Sequence, residues 1–102
     1  MLLVGLLSGC GPSTPIKVTN TSSETIRNVR LSGRGFESSI AALAPGQSET
    51  VRIDPKGEAG LAMSFDVGTR HVQTPEQGYF ESGYDVSATV KPDFKVDVDS
   101  TF

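Results

Sequence analysis

The 102-residue chain has one cysteine, Cys10, so no disulfide forms within it. It has one histidine, His71, too few for a metal site built on His and Cys. Its nine Lys and Arg are scattered singly and its net charge is −3. Nucleic-acid binders usually present a basic face to the phosphate backbone, and none is visible here. No apolar run approaches the ~20 residues that a membrane-spanning helix needs. Nor does any stretch of useful length carry the helical spacing of apolar residues. These absences argue against a disulfide scaffold, a His/Cys metal centre, a nucleic-acid binder and an ordinary transmembrane helix.

What is present begins at the N-terminus. Leu2, Leu3, Val4, Leu6 and Leu7 form a short apolar run that ends in the small residues Ser8 and Gly9, just before Cys10. An apolar stretch followed by small residues is the pattern of a targeting segment, partitioning into the membrane and then admitting a peptidase. Leu7-Ser8-Gly9-Cys10 resembles the lipobox of bacterial lipoproteins. That resemblance implies a diacylglycerol on the Cys10 sulfur, cleavage between Gly9 and Cys10, and further acylation of the new amine. Two or three acyl chains anchor stably, at about 0.8 kcal/mol per buried CH₂. No Lys or Arg precedes the apolar run, which points to a translation start upstream of Met1. Gly11 stands where the family's inner-membrane retention signal would be Asp, which favours the periplasmic face of the outer membrane over the inner membrane. Residues 1–9 are thus expected to be a signal peptide. Residues 10–15 follow as the lipidated Cys and a stiff linker with Pro12 and Pro15, reaching roughly 3 Å per residue.

Residues 16–102 are expected to form one domain. The eleven Gly and six Pro fit many short strands joined by turns. Ile16 and Val18 alternate with polar neighbours, and Asn20 to Glu24 read as a polar turn. Ile26 has the opposite parity to Val29 and Leu31, and a β-bulge near Asn28 would realign them. Phe36, Ser38 and Ile40 share a face. Pro45-Gly46 suits the centre of a type II turn. Leu61, Met63, Phe65 and Val67 alternate with small and polar residues. Gly68 to Gly83 is the least regular stretch, with short strands near His71-Val72 and Tyr79-Phe80. Tyr84 to Val90 and Phe94 to Val98 read as a final hairpin. The expected fold is all-β, a single antiparallel β-sandwich of seven to eight short strands. The pattern across residues 16–53 resembles the opening hairpins of immunoglobulin-like or transthyretin-like sandwiches, which implies fold and not function.

Catalytic chemistry finds little material. A nucleophile needs a neighbouring base, but Cys10 would carry lipid and no elbow motif surrounds any serine. Asp97 and Asp99 share a strand face on the outward side of a hairpin, where acids protect an edge. Asp93, Asp97 and Asp99 lack the spacing and Gly of a calcium loop. A soft site of His71 with Met63 is disfavoured because Met63 falls on the apolar face with Leu61 and Phe65. Gly33 and Gly35 read as turn glycines. No enzyme, cofactor or metal is expected.

One stretch stands out. Tyr79, Phe80 and Tyr84 lie in a Gly-flanked irregular segment, and aromatics on a loop serve as binding anchors. From Glu76 onward the chain has six acids and only two bases, Lys91 and Lys95. Charge runs of this kind usually form a solvated face, and they also suit a basic partner. The expected function is a non-enzymatic envelope module that binds a protein partner through these aromatics or a free sheet edge. The alternative is a lipid-anchored periplasmic inhibitor or immunity protein against a wall-degrading or toxic enzyme.

Overall fold

The computed structural model describes residues 14–102. The expected signal peptide with Gly9, the expected lipidation site Cys10, and residues 11–13 of the linker lie outside the described residues. The elements are β1 (Thr14–Asn20), β2 (Ile26–Gly33), β3 (Phe36–Leu43), β4 (Ser48–Ile53), β5 (Ala59–Val67), β6 (Arg70–Gln73), β7 (Gln77–Phe80), β8 (Asp85–Val90) and β9 (Val96–Thr101). Two sheets pack face to face as a β-sandwich. One runs β4-β1-β8-β9, and the other β3-β2-β5-β6 with β7 also on β5.

Strand alternation builds the core between them. Ile16, Val18, Ile53, Val86, Ala88, Val90 and Val96 face inward from the first sheet. Leu31, Ile40, Leu61, Met63, Phe65 and Val67 meet them from the second. Met63 is therefore core, as its parity implies. β5 alternates without a break from Ala59 to Val67, so it is the sequence's clearest strand and the centre of its sheet.

The bulge expected at Asn28 is present. Arg27 pairs with Asp66 and Arg30 with Ser64, so β2 spends three steps where β5 spends two. Asn28 takes φ +50, and Ile26 and Val29 are both buried despite their opposite parity. The Pro45-Gly46 turn also forms: Gln47 N donates to Ala44 O at 3.0 Å, with Gly46 at φ +82. That φ fits the third position of a type II turn.

Three expectations need correction. Nine strands are formed among the described residues, one more than expected in total, with both short strands of the irregular stretch formed as separate elements. β6 and β7 are two pieces of one edge on β5, interrupted at Pro75 where a ladder donor is missing. Thr74 bridges the break: its N donates to Met63 O at 2.9 Å, and its Oγ1 accepts from Met63 N at 3.0 Å. Second, the sandwich is not purely antiparallel. β1 runs parallel to β8, from Ile16↔Val86 to Asn20↔Val90. Third, β1 starts at Thr14 and not at residue 16. Pro15 is tolerated there because the β8 ladder begins one residue later, at Ile16. Thr14 is fully buried, and its Oγ1 accepts a 3.1 Å hydrogen bond from Gly83 N.

Candidate functional site

The segment Gln77–Tyr84 is where chemistry was expected, and the fold divides its aromatics. On β7, Gln77 pairs with Leu61 and Phe80 with Ala59, three steps against two. This second bulge turns Phe80 into the sandwich. Phe80 is fully buried, and its ring centroid lies 6.0 Å from that of Phe36. Phe80 is thus a core residue, and its assignment as a partner-binding anchor is withdrawn. A four-residue strand with an internal bulge has no readable parity, which is why sequence alone left it on the surface.

Tyr79 points the other way and is 45% exposed. A tight turn brings Tyr84 back beside it: Tyr84 N donates to Glu81 O at 3.1 Å, with Gly83 at φ +93, a conformation costly for any residue with a Cβ. The Tyr79 and Tyr84 rings meet edge to face, with centroids 6.1 Å apart at 81°. Phe102 extends the group, 5.0 Å from Tyr84, and is 94% exposed. The chain end gave no sequence signal for this. Its place follows from the β8–β9 register, which sets Thr101 opposite Asp85 and so carries the next residue to Tyr84.

The patch is held from below. Gly78, at φ +76, lies against Val98, with only 3.0 Å between an added Cβ and the valine methyl. Ser100 Oγ donates to Tyr79 O. Together these contacts seat β7 on β9 and join the two sheets along one side. The Tyr79 hydroxyl donates to Glu81 Oε2. That bond, with desolvation and the nearby charges of Glu81 and Glu58, pushes the Tyr79 pKa up to about 12. Beside Tyr79 a cleft of about 660 Å³ opens between Arg34, Glu58 and Glu76, with Gly33, Gly60 and Gly78 along its walls. The arrangement offers aromatic faces ringed by carboxylates, a surface suited to contact with another molecule.

Elsewhere the structure explains residues without giving them chemistry. His71 Nδ1 sits 2.7 Å from Asp66 Oδ1, and Asn28 Nδ2 donates to Asp66 Oδ2 at 2.9 Å. This trio crosses β2, β5 and β6 on the outer face and braces the bulge. Asp97 and Asp99 are exposed on β9, with Lys91 Nζ 3.7 Å from Asp97. Among the described residues no group of three or more His, Cys, Asp or Glu is placed to hold a metal. A groove of about 330 Å³ on the outer face of the first sheet runs past Pro15, Lys17, Asp85, Ser87 and Asp99.

No family model and no curated protein sequence matches the chain. Among solved structures, the NMR structure of a protein from Eubacterium rectale is similar, with a TM-score of 0.64 at 15% identity, covering 86% of this chain and 87% of that one. At that identity the likeness concerns the fold.

Proposed function

We propose that the chain is a bacterial envelope lipoprotein, anchored through acylated Cys10 to the periplasmic face of the outer membrane. Its sandwich acts as a non-enzymatic module that binds a protein partner. The observation that carries the binding reading is the contact of three rings, Tyr79, Tyr84 and Phe102, two of them strongly exposed. Aromatic anchors dominate protein interfaces, and rings already ordered by the Gly83 turn lose little entropy on docking. The anchoring reading rests on Leu7-Ser8-Gly9-Cys10. The second reading, a lipid-anchored inhibitor or immunity protein, draws on the carboxylates of Glu58, Glu76 and Glu81 around the same rings. An acidic rim suits the basic cleft of a target enzyme and steers it by charge.

Two experiments test the proposal. Replacing Cys10 with Ser should abolish acyl labelling and release the protein from the membrane fraction; continued membrane attachment would refute the lipid anchor. A photo-reactive side chain at Tyr79 in the native envelope should capture one abundant protein partner. Capture that survives Tyr84→Ala and loss of Phe102 unchanged would refute the aromatic patch as the contact. Capture of a secreted enzyme would select the inhibitor reading.

A further inference from the structure

A β-sandwich has sheet edges whose unpaired N–H and C=O groups invite another strand, and proteins guard them with charge, proline or bulges. Three edges here are guarded. β4 carries Glu49 and Arg52 within six residues. The β6–β7 edge is interrupted at Pro75 and shifts register on β5. β9 carries Asp97 and Asp99 and is packed by β7 through Gly78 and Ser100.

β3 is the exception. It ends its sheet and is eight residues long, reading Phe-Glu-Ser-Ser-Ile-Ala-Ala-Leu. It has no Pro, Gly or base, and from Gly33↔Phe36 to Val29↔Ile40 it pairs with β2 in unbroken alternation; beyond Ile40 the alternation shifts opposite the Asn28 bulge, so that Leu43 is buried as well. Its one charge, Glu37, is already drawn toward Arg30 on β2, 3.4 Å away.

We infer that β3 is a pairing edge, and that its occupant is β3 of a second copy, antiparallel and centred on Ser39. An antiparallel pair keeps each face together only if opposed residues have the same parity. The register centred on Ser39 meets that condition. It sets Ser39 opposite Ser39 of the partner subunit, where two hydroxyls can bond across the strands. It sets Glu37 opposite the partner's Ala41, so no like charges face each other. It sets Ser38 opposite the partner's Ile40 on the inner face, so small meets large. Residues 37–41 of β3 are therefore matched to themselves in size, with no like charges opposed, and the two sandwiches join along a continuous sheet.

The test is sedimentation of the full chain in mild detergent over a concentration series, with two substitutions at one position. Ala41 is exposed on the outer face, so neither disturbs the core. Ala41→Lys places a cation opposite Glu37 of the partner twice over by symmetry, and the dimer Kd should fall about 2- to 30-fold. Ala41→Glu opposes two carboxylates, and Kd should rise by a similar factor. Ser39→Cys should give a disulfide-linked dimer that Glu37→Cys does not. A chain that stays monomeric up to millimolar concentration overturns the inference, as does a dimer that responds equally to both charges. Monomer behaviour together with capture of a foreign strand at β3 would assign the edge to a different protein.

Discussion

The side-chain amide of Asn20 donates to the carbonyl of Leu43 at 3.0 Å, tying the end of β1 in one sheet to the end of β3 in the other. Asn20 is fully buried and uses every site it has. Its Nδ2 also donates to Glu24 O at 2.8 Å. Its Oδ1 accepts from Ser22 N at 2.9 Å and from Ser22 Oγ at 2.7 Å. Its backbone pairs with the Pro-Gly turn, donating to Gln47 O and accepting from Gly46 N. One residue, through side chain and backbone together, thus ties the ends of β1 and β3 to two turns.

Asn20→Ala should therefore destabilise the domain by about 2–4 kcal/mol, since several buried groups lose their partner together. Asn20→Asp should cost as much, because a carboxylate would face two carbonyls. Denaturant unfolding followed by circular dichroism measures both, and a loss under about 1 kcal/mol would contradict the role.

Phe80 and Tyr79 are neighbours in sequence with opposite tasks. Phe80→Ala should cost about 3–5 kcal/mol as a core truncation. Tyr79→Ala should cost under about 1.5 kcal/mol, the worth of one ring pair, while reducing partner capture. Paired unfolding curves decide this: equal losses would mean that Tyr79 is structural too.

Asp66 has its carboxyl pKa held below the ordinary 3.8, first by the hydrogen bond from His71 and then by that from Asn28. Its folded value is depressed, so the stabilisation it supplies is present above pH 3.8 and is lost as pH falls through the folded value. In an NMR carboxyl titration, Asn28→Ala should raise the midpoint, and His71→Ala should raise it further. An unchanged midpoint in both would show that the trio does not persist in solution.

The Tyr79 hydroxyl, pushed up to about 12 chiefly by its bond to Glu81, supplies an optical readout of the patch. Glu81→Gln removes a carboxylate acceptor, and an ultraviolet titration should then find the phenol ionising closer to 10. A bound basic partner would lower the same value by favouring phenolate.

Local chemistry explains which parts of this molecule were legible. β5 was readable because Leu61, Met63, Phe65 and Val67 keep strict parity. The bulge at Asn28 was readable because Ile26 broke it. The turn at Gly46 was readable because Pro-Gly has few other uses. The parallel pairing of β1 with β8 was not, because nothing within either strand encodes a partner far along the chain. For the candidate site, the glycine flanks singled out Tyr79 and Tyr84, whose rings the fold brings together. Phe80 was misplaced because the bulge that buries it depends on β5. Phe102 was missed because its neighbour Tyr84 is supplied by the final hairpin, and Glu58 because it reaches the patch from the loop leading into β5, the strand that β7 pairs with far along the chain.

The parallel ladder between β1 and β8 sets the order in which the molecule can assemble. Thr21 meets Val90 across 69 positions of chain, and closing a loop of that length costs about 4 kcal/mol of chain entropy before the contact gives anything back. The β2–β3 and β5–β6 hairpins are local and form early. β1 can pair with β4 soon after, but its other side stays open until β8, the eighth of the nine strands among the described residues, has been made. High contact order of this kind places folding on the millisecond-to-second scale. A chain emerging from a ribosome thus carries β1 half-paired until β8 has been made, and the β8–β9 hairpin works as the latch that closes the domain.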